Sequence, residues 1–497
     1  MQQQRLGVLG GAVVCLALGC SAGTDDGAGG SGGQMTASSG GTTAGGSGGL
    51  PGSGGTGAAS GGAPTTTGGA GPGGTGGAPG GTGGTPGSTG GSGGGAGSGG
   101  TAGSGATGGA AGSGGGMVVD PPEHPPLDCG PIGVAIEDAG PTANRVNYVI
   151  IGDGYTANEV DTTFMEHIQV AMEKRFSTPI GQPYGRDRKF VNICAIKLVS
   201  PTGICQSSAL GCCERNPGQN TRLAECNSNE ANRQIAENLP EDFEVDWKAV
   251  VLNGDDWWNT GSVLMLWSGG HNDAAGAALH EGGHGFHQLA DEYCTRTGAA
   301  CGPNGGGPNG QEYREVNSTG NGTDSGGKWN RWLDWDQAGA TGIQGLFAGS
   351  RYVDEGQYRP SANSQMNSLF GDNPNTSFNA VSREKMVFDI WRHVTPVDAT
   401  EPPEGAVNGT PTLVVHVIDP EVINVDWSVD GELVKENGGN AFDLATAGLS
   451  SGSHAVSARA YDNAGEDLVR YRDGGEDYGR MNWARSQQTV TWTVTIP

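Results

Sequence analysis

From Gly27 to Gly116 the chain is built almost entirely from Gly, Ser, Thr and Ala with a little Pro, and Met35 and Leu50 are nearly its only large apolar residues. Such a stretch cannot bury enough surface to offset the entropy of ordering its backbone, which predicts a disordered linker. Much of the chain's total of 95 glycines falls here, so any folded core has to come from the rest of the 497 residues. A flexible chain of this length spans roughly 50 Å root-mean-square. That is long enough to hold a globular region well clear of an attachment point.

What precedes the linker predicts an attachment point. "MQQQRLGVLGGAVVCLALGC" has Arg5 and the amino terminus as its positive end, a short apolar core from Leu6 to Leu18, and Gly19-Cys20 as a small-residue cleavage point. These are the parts of an export signal, and the apolar run is too short for a settled transmembrane helix. Cys20 after "LALG" resembles the bacterial lipobox, in which that cysteine is acylated, although Ala17 and Leu18 stand in the reverse of the usual order. The expectation is an exported protein: an outer-membrane or cell-surface lipoprotein held only by a lipid on Cys20, or an extracellular one. Residues 1–20 are then the signal and 21–116 the linker.

Charge and cysteines agree with that placement. The net charge of −26 and the lack of any basic run argue against nucleic acid as a partner, because a phosphate-tracking surface needs clustered Lys and Arg. Of ten cysteines, eight remain after Cys15 and Cys20. An even number in an exported chain predicts disulfides, and no pair has the CxxC spacing of a metal site. Cys294 and Cys301 flank "TRTGAA" and could close a small loop.

Globular composition begins near Met117. "RVNYVIIGDGYT" (145–156) is an apolar, β-branched run ending in Gly-Asp-Gly, which predicts a buried strand entering a turn. "NEVDTTFMEHIQVAMEKRF" (158–176) follows with helical spacing, and "FVNICAIKLV", "WKAVVLNG" and "SVLMLWS" predict further strands. Strands alternating with helices predict an α/β layer over 117–398. After a joint near 395–409 the pattern changes. "INVDWSVDGELV", "SHAVSARAYD" and "TVTWTVTI" alternate with period two, and the first turns at Asp430-Gly431. An all-β sandwich of immunoglobulin or fibronectin type is predicted for 399–497.

The chemistry concentrates in "AALHEGGHGFHQLADEYC" (277–294). His280 and His284, four apart, share one helix face at the separation that lets two imidazoles reach one zinc ion. Glu281 between them is offset toward a metal-bound water, whose pKa zinc lowers, and can take its proton as it attacks a carbonyl. The apolar "DAAGAAL" before the motif predicts a buried helix, where imidazoles beside a carboxylate need partners that a metal supplies. Gly282 and Gly283, costly inside a helix, mark close approach to another layer or to substrate. A third ligand is harder to place. On an unbroken helix Asp291 lies about 16 Å of rise from His280, so it can join only if the helix breaks between Gly285 and Ala290. Asp291 is preferred, with Glu292 its competitor. His287 shares the helix face but stands two turns above His280.

"HEGGHGFHQLADEY" resembles the signature of the M64 peptidases, the IgA peptidases: His-Glu-x-Gly-His, four variable positions, then Leu-x-Asp-Glu-Tyr. "VIIGDGYTANE", "YGRDRKFVNICAIKLVSPTG" and "YRPSANSQMNSLFG" are similar to the family as well, so the resemblance spans most of Asn144 to Val397. It implies an α/β zincin-like zinc metallopeptidase domain with His280, His284 and Asp291 as ligands and Glu281 as the base. Relatives often carry a small residue in place of His287, which here could add a ligand or proton carrier. Met366 stands where a Met-turn residue would lie beneath the metal, or is plain core.

The expected activity is hydrolysis of protein or peptide bonds by a zinc-dependent endopeptidase. Immunoglobulin A as substrate is implied by the family's name alone. A Gly-rich stalk with a β-sandwich also fits an adhesin-like binding protein with a non-catalytic metal site, and the same zinc chemistry would serve hydrolysis of a non-protein amide.

Overall fold

A computed structural model of the chain describes residues 117–120, 122–215, 223–256, 259–294, 311–367, 376–472 and 483–497. The export signal with Cys15 and Cys20, the glycine-rich linker, Cys301 and the end of "YRPSANSQMNSLFG" lie outside them.

The fold is mixed α and β. A six-stranded sheet in the order β1-β3-β2-β6-β8-β7 comprises β1 (Gly133–Glu137), β2 (Val146–Asp153), β3 (Val191–Ile196), β6 (Trp247–Leu252), β7 (Asn259–Thr260) and β8 (Met265–Ser268). β3, β2, β6 and β8 run parallel, with antiparallel β1 and β7 at the edges. The crossovers are made by α1 (Thr163–Ser177) between β2 and β3 and by α2 (Ser228–Asn238) between β3 and β6. A short pair, β4 (Cys213–Glu214) with β5 (Ala224–Glu225), lies between β3 and α2.

Both faces of the sheet are covered, so its parallel strands read as continuous apolar runs and all eight residues of β2 are buried. Alternation still decides the side. Tyr148 and Ile150 face a core shared with α1 and with α3 (Ala274–Gly285), whereas Val149 and Ile151 face the smaller core under α2. The disulfides Cys129–Cys194, Cys205–Cys213 and Cys212–Cys226 staple the α2 side, and Cys294 is disulfide-bonded as well.

Beyond α3 the chain forms two short antiparallel pairs, β9 (Asp336–Gln337) with β10 (Gly342–Ile343) and β11 (Phe347–Ser350) with β12 (Val353–Arg359), and then α4 (Ala380–Ile390). Two more sheets follow. One has the order β13 (Val397–Glu401), β15 (Thr412–Val417), β18 (Ala441–Asp443). The other has β14 (Gly405–Asn408), β20 (Gln487–Ile496), β19 (Gly452–Asp462), β16 (Ile423–Val429), β17 (Glu432–Lys435). Inward-facing Val415 and Val417 of the first and Val425, Trp427, Val456 and Trp492 of the second belong to the same buried cluster as α1 and α3. Polar ties cross between the layers: Arg145 pairs with Asp398 (2.7 Å), Trp391 Nε1 donates to Asp462 (2.8 Å), and Arg186 also pairs with Asp462.

Candidate metal centre

α3 carries glycines at 276, 282, 283 and 285, an expensive composition for a helix at about 1 kcal/mol each. Three of the four are dictated by packing. A Cβ on Gly283 would lie 2.6 Å from Met366 Sδ, one on Gly285 2.7 Å from the Ser262 carbonyl, and one on Gly282 3.0 Å from Trp247 Cζ2. The helix therefore sits closer to its neighbours than side chains would allow. Met366, fully buried, is packed against the turn between the two histidines.

The helix stops at Gly285. Gln288 takes a left-handed conformation (φ 53°), and the Leu289 N–H returns to the Gly283 carbonyl at 2.8 Å. This reversal brings Asp291 back along the helix instead of far beyond it. His280, His284 and Asp291 are thereby gathered. Their Nε2 atoms are 3.0 Å apart and Asp291 Oδ1 is 3.0 Å from each.

The partners on the far sides of the rings say what belongs between them. His280 Nδ1 donates to the Gln365 carbonyl (3.0 Å) and His284 Nδ1 to the Leu289 carbonyl (2.7 Å). A carbonyl can only accept, so in each neutral ring the proton sits on Nδ1 and Nε2 presents a lone pair. With both rings neutral, two lone pairs and a carboxylate oxygen thus converge with no donor among them. A shared cation satisfies all three. Ligand atoms at about 2 Å from a tetrahedral zinc ion are roughly 3.3 Å apart, close to the separation found here. The residues fit a metal ion.

Electrostatics point the same way. Burial lowers the His284 pKa, but Asp291 and Glu281 outweigh it and raise it to about 9. Burial pushes Asp291 up, yet the two histidines hold it well below the usual carboxylate range. The pocket attracts positive charge.

Glu281 is also buried, and burial raises its pKa against the opposing pull of His280 and His284. Among the described residues no hydrogen-bond donor is paired with its carboxylate. A methyl placed on Gly261 would sit 2.5 Å from His284 Cδ2 and 2.6 Å from Glu281 Oε2, so Glu281 lies alongside the His284 ring under a bare stretch of backbone.

The two other candidates are engaged elsewhere. Glu292 is fully buried and accepts from Asn317 Nδ2 (2.9 Å), Ser364 Oγ (2.6 Å) and Asn379 Nδ2 (2.8 Å), tying three distant segments together. His287 is turned into the core, between Tyr184 Oη (2.7 Å) and Asp389 Oδ2 (3.1 Å). Sequence reasoning did not reach Tyr352, whose hydroxyl donates to Asp291 Oδ2, or Ser350, whose Oγ donates to the Asp291 carbonyl at 3.1 Å. "GSRYVD" carries no motif that would have flagged them.

Residues 134–341 match the family model described as IgA Peptidase M64. No curated protein matches the chain. Solved structures similar to it include fibronectin(III)-like modules of Clostridium thermocellum CbhA, at 14% identity over 20% of this chain and 93% of that one, with a TM-score of 0.13. Another is SGBP-B of the Bacteroides ovatus mixed-linkage glucan utilization locus, in complex with a mixed-linkage heptasaccharide, at 13% identity over 21% and 22% of the chains and a TM-score of 0.13. At those scores neither bears on fold or function.

Proposed function

We propose that this chain, whose residues 134–341 match the M64 peptidase family model, is an exported zinc-dependent endopeptidase. One observation carries the reading. Two imidazole lone pairs and one carboxylate oxygen converge at 3.0 Å beside a glutamate whose carboxylate is unpaired among the described residues. Two imidazoles and a single carboxylate suit zinc, and three protein ligands leave a position open.

His280, His284 and Asp291 would hold the ion. Bound there, zinc supplies a Lewis acid that polarises a peptide carbonyl and acidifies a water molecule. The carbonyls of Gln365 and Leu289 fix the orientation of the two rings. Glu281 accepts the proton of the attacking water and passes it to the departing amine, a role favoured by a carboxylate whose pKa burial raises. The glycine at 261 lets the chain's own backbone pack against that carboxylate and the His284 ring, where a side chain would not fit. We read 117–398 as the zincin-like domain and 399–497 as an immunoglobulin-like β-sandwich, a reading supported by the sheet order and by the alternating burial of β16 and β20.

Export is part of the same reading. Three disulfides within the described residues suit an oxidising compartment. The linker would hold the globular region away from a surface to which Cys20 is anchored through lipid.

The decisive comparison is wild type against Glu281→Gln. Both should carry one zinc ion per chain by elemental analysis, while cleavage of an unbiased peptide library falls by about 10²- to 10⁴-fold in the variant. Undiminished cleavage by Glu281→Gln removes the mechanism. Zinc without cleavage of any peptide by wild type points to a binding protein or to a non-protein amide as substrate.

A further inference from the structure

β11 and β12 pair with Ser350 opposite Val353, so Arg351 and Tyr352 alone form the turn between them. Both have positive φ, 49° and 70°. This is the sign pattern of a type I′ turn, which Asn-Gly or Asp-Gly fills readily and which disfavours side chains as large as Arg and Tyr. A local rule broken this way points to a function that keeps it broken.

The contacts of the turn show what is gained. The Arg351 N–H donates to the Asp291 carbonyl and the Tyr352 N–H to the Tyr293 carbonyl, both at 3.0 Å. Ser350 Oγ donates to the Asp291 carbonyl as well. Arg351 pairs with Glu315 (2.7 Å) and lies over the Tyr313 ring. Thus the hairpin tip grips the backbone around Asp291. From that tip the Tyr352 hydroxyl donates to Asp291 Oδ2. Its ring meets Tyr293 edge-on at 5.3 Å, and Tyr293 stacks on His280.

Asp291 therefore has its two oxygens assigned to different tasks. Oδ1 faces both histidine nitrogens, and Oδ2 is held by Tyr352. A carboxylate with an untethered second oxygen can swing to grip a metal ion through both, filling the position that water or substrate must take. We propose that Tyr352 is a positioning residue that keeps Asp291 a one-oxygen ligand, and that the disfavoured backbone at 351–352 persists because it delivers this hydroxyl. The inference rests on the metal centre proposed above.

Its test uses the full chain and reads metal binding. Tyr352→Phe keeps the ring and removes only the hydroxyl, and Tyr352→Asn puts a residue that suits the turn in its place. Loss of an outer partner of a metal ligand typically weakens binding by about 10- to 100-fold. Zinc affinity, measured by competition with a chromophoric chelator, should fall by that factor in both variants. The visible absorption of the cobalt-substituted protein should change in both. Thermal midpoints of the metal-free proteins should be unchanged for Tyr352→Phe and equal or higher for Tyr352→Asn. Wild-type zinc affinity together with an unaltered cobalt spectrum in Tyr352→Phe overturns this proposal alone. So does a fall in metal-free stability in both variants, which would mark the tyrosine as a packing residue. A wild-type chain that takes up no zinc overturns it together with the peptidase reading.

Discussion

Gly283 and Gly276 lie two turns apart on α3 and make opposite predictions. A methyl at 283 meets Met366 Sδ at 2.6 Å, whereas one at 276 meets nothing within 4 Å. Gly283→Ala should destabilise by about 1–3 kcal/mol through overpacking, and Gly276→Ala should stabilise by about 0.5–1 kcal/mol through helix propensity. Denaturant titration of the metal-free chain reads both. That the glycines mark close approach was legible in the motif; which neighbour they approach was not. His287 carries a second prediction. Burial lowers its pKa from 6.5 to about 4, with Asp389 opposing, so the folded state keeps it neutral while the unfolded state protonates it. Between those values the unfolded chain binds the extra proton, so stability is full above pH 6.5 and is lost as pH falls toward 4. Asp389 acts in the same direction: burial raises its pKa, but Lys385 and His287 hold it below its usual value. His287→Gln should flatten the midpoint-against-pH curve in that window, and an unchanged slope would show that His287 does not set it. The sequence placed His287 on the helix face of the ligands, but the helix ends before it, and no periodicity rule survives that end.

At the scale of elements, two hairpin turns show where local signals reach. Val429 pairs with Glu432 across Asp430 and Gly431, which have φ of 50° and 86°. Asp-Gly is suited to that conformation, so this turn could be read directly from the sequence. Ser350 pairs with Val353 across Arg351 and Tyr352 in the same φ region, and nothing local announces it. The first turn is favoured by its own residues and the second by contacts with residues about sixty positions earlier. Cys129–Cys194 is similarly non-local, joining the segment before β1 to β3 with both sulfurs in the α2-side core. Replacing both cysteines by alanine should cost about 2–5 kcal/mol, seen as a lower thermal midpoint with zinc binding retained in the cold. An equal midpoint would show that the cores on the two faces hold the sheet without it.

For the whole molecule the consequential fact is that one buried cluster runs from the central sheet into the C-terminal sheets. Glu384 of α4 accepts from the backbone N–H groups of Arg470 (2.6 Å) and Tyr471 (2.8 Å) and from Trp332 Nε1 (2.7 Å), so the region of the candidate metal centre and the β-rich region share buried polar partners as well. Ending the chain after Asp398 would uncover apolar surface around Trp391, remove the Arg470 and Tyr471 donors from Glu384, and remove Asp462 from Arg186. The expected result is insoluble protein, or soluble protein with no near-ultraviolet circular dichroism and no zinc. A monomeric, zinc-loaded product would show that the region folds alone. The sequence by itself determined what depends on neighbours along the chain: strands from period-two alternation, the helix that carries His280 and His284, their common face, and the Asp-Gly turn. Tertiary structure alone decided which carboxylate faces the two histidines, which ring nitrogens point inward, and which hydroxyl holds Asp291. Those outcomes depend on where the chain reverses and on partners such as Leu289, Tyr352 and Gln365, up to 85 residues distant in sequence, and spacing within a motif encodes none of that.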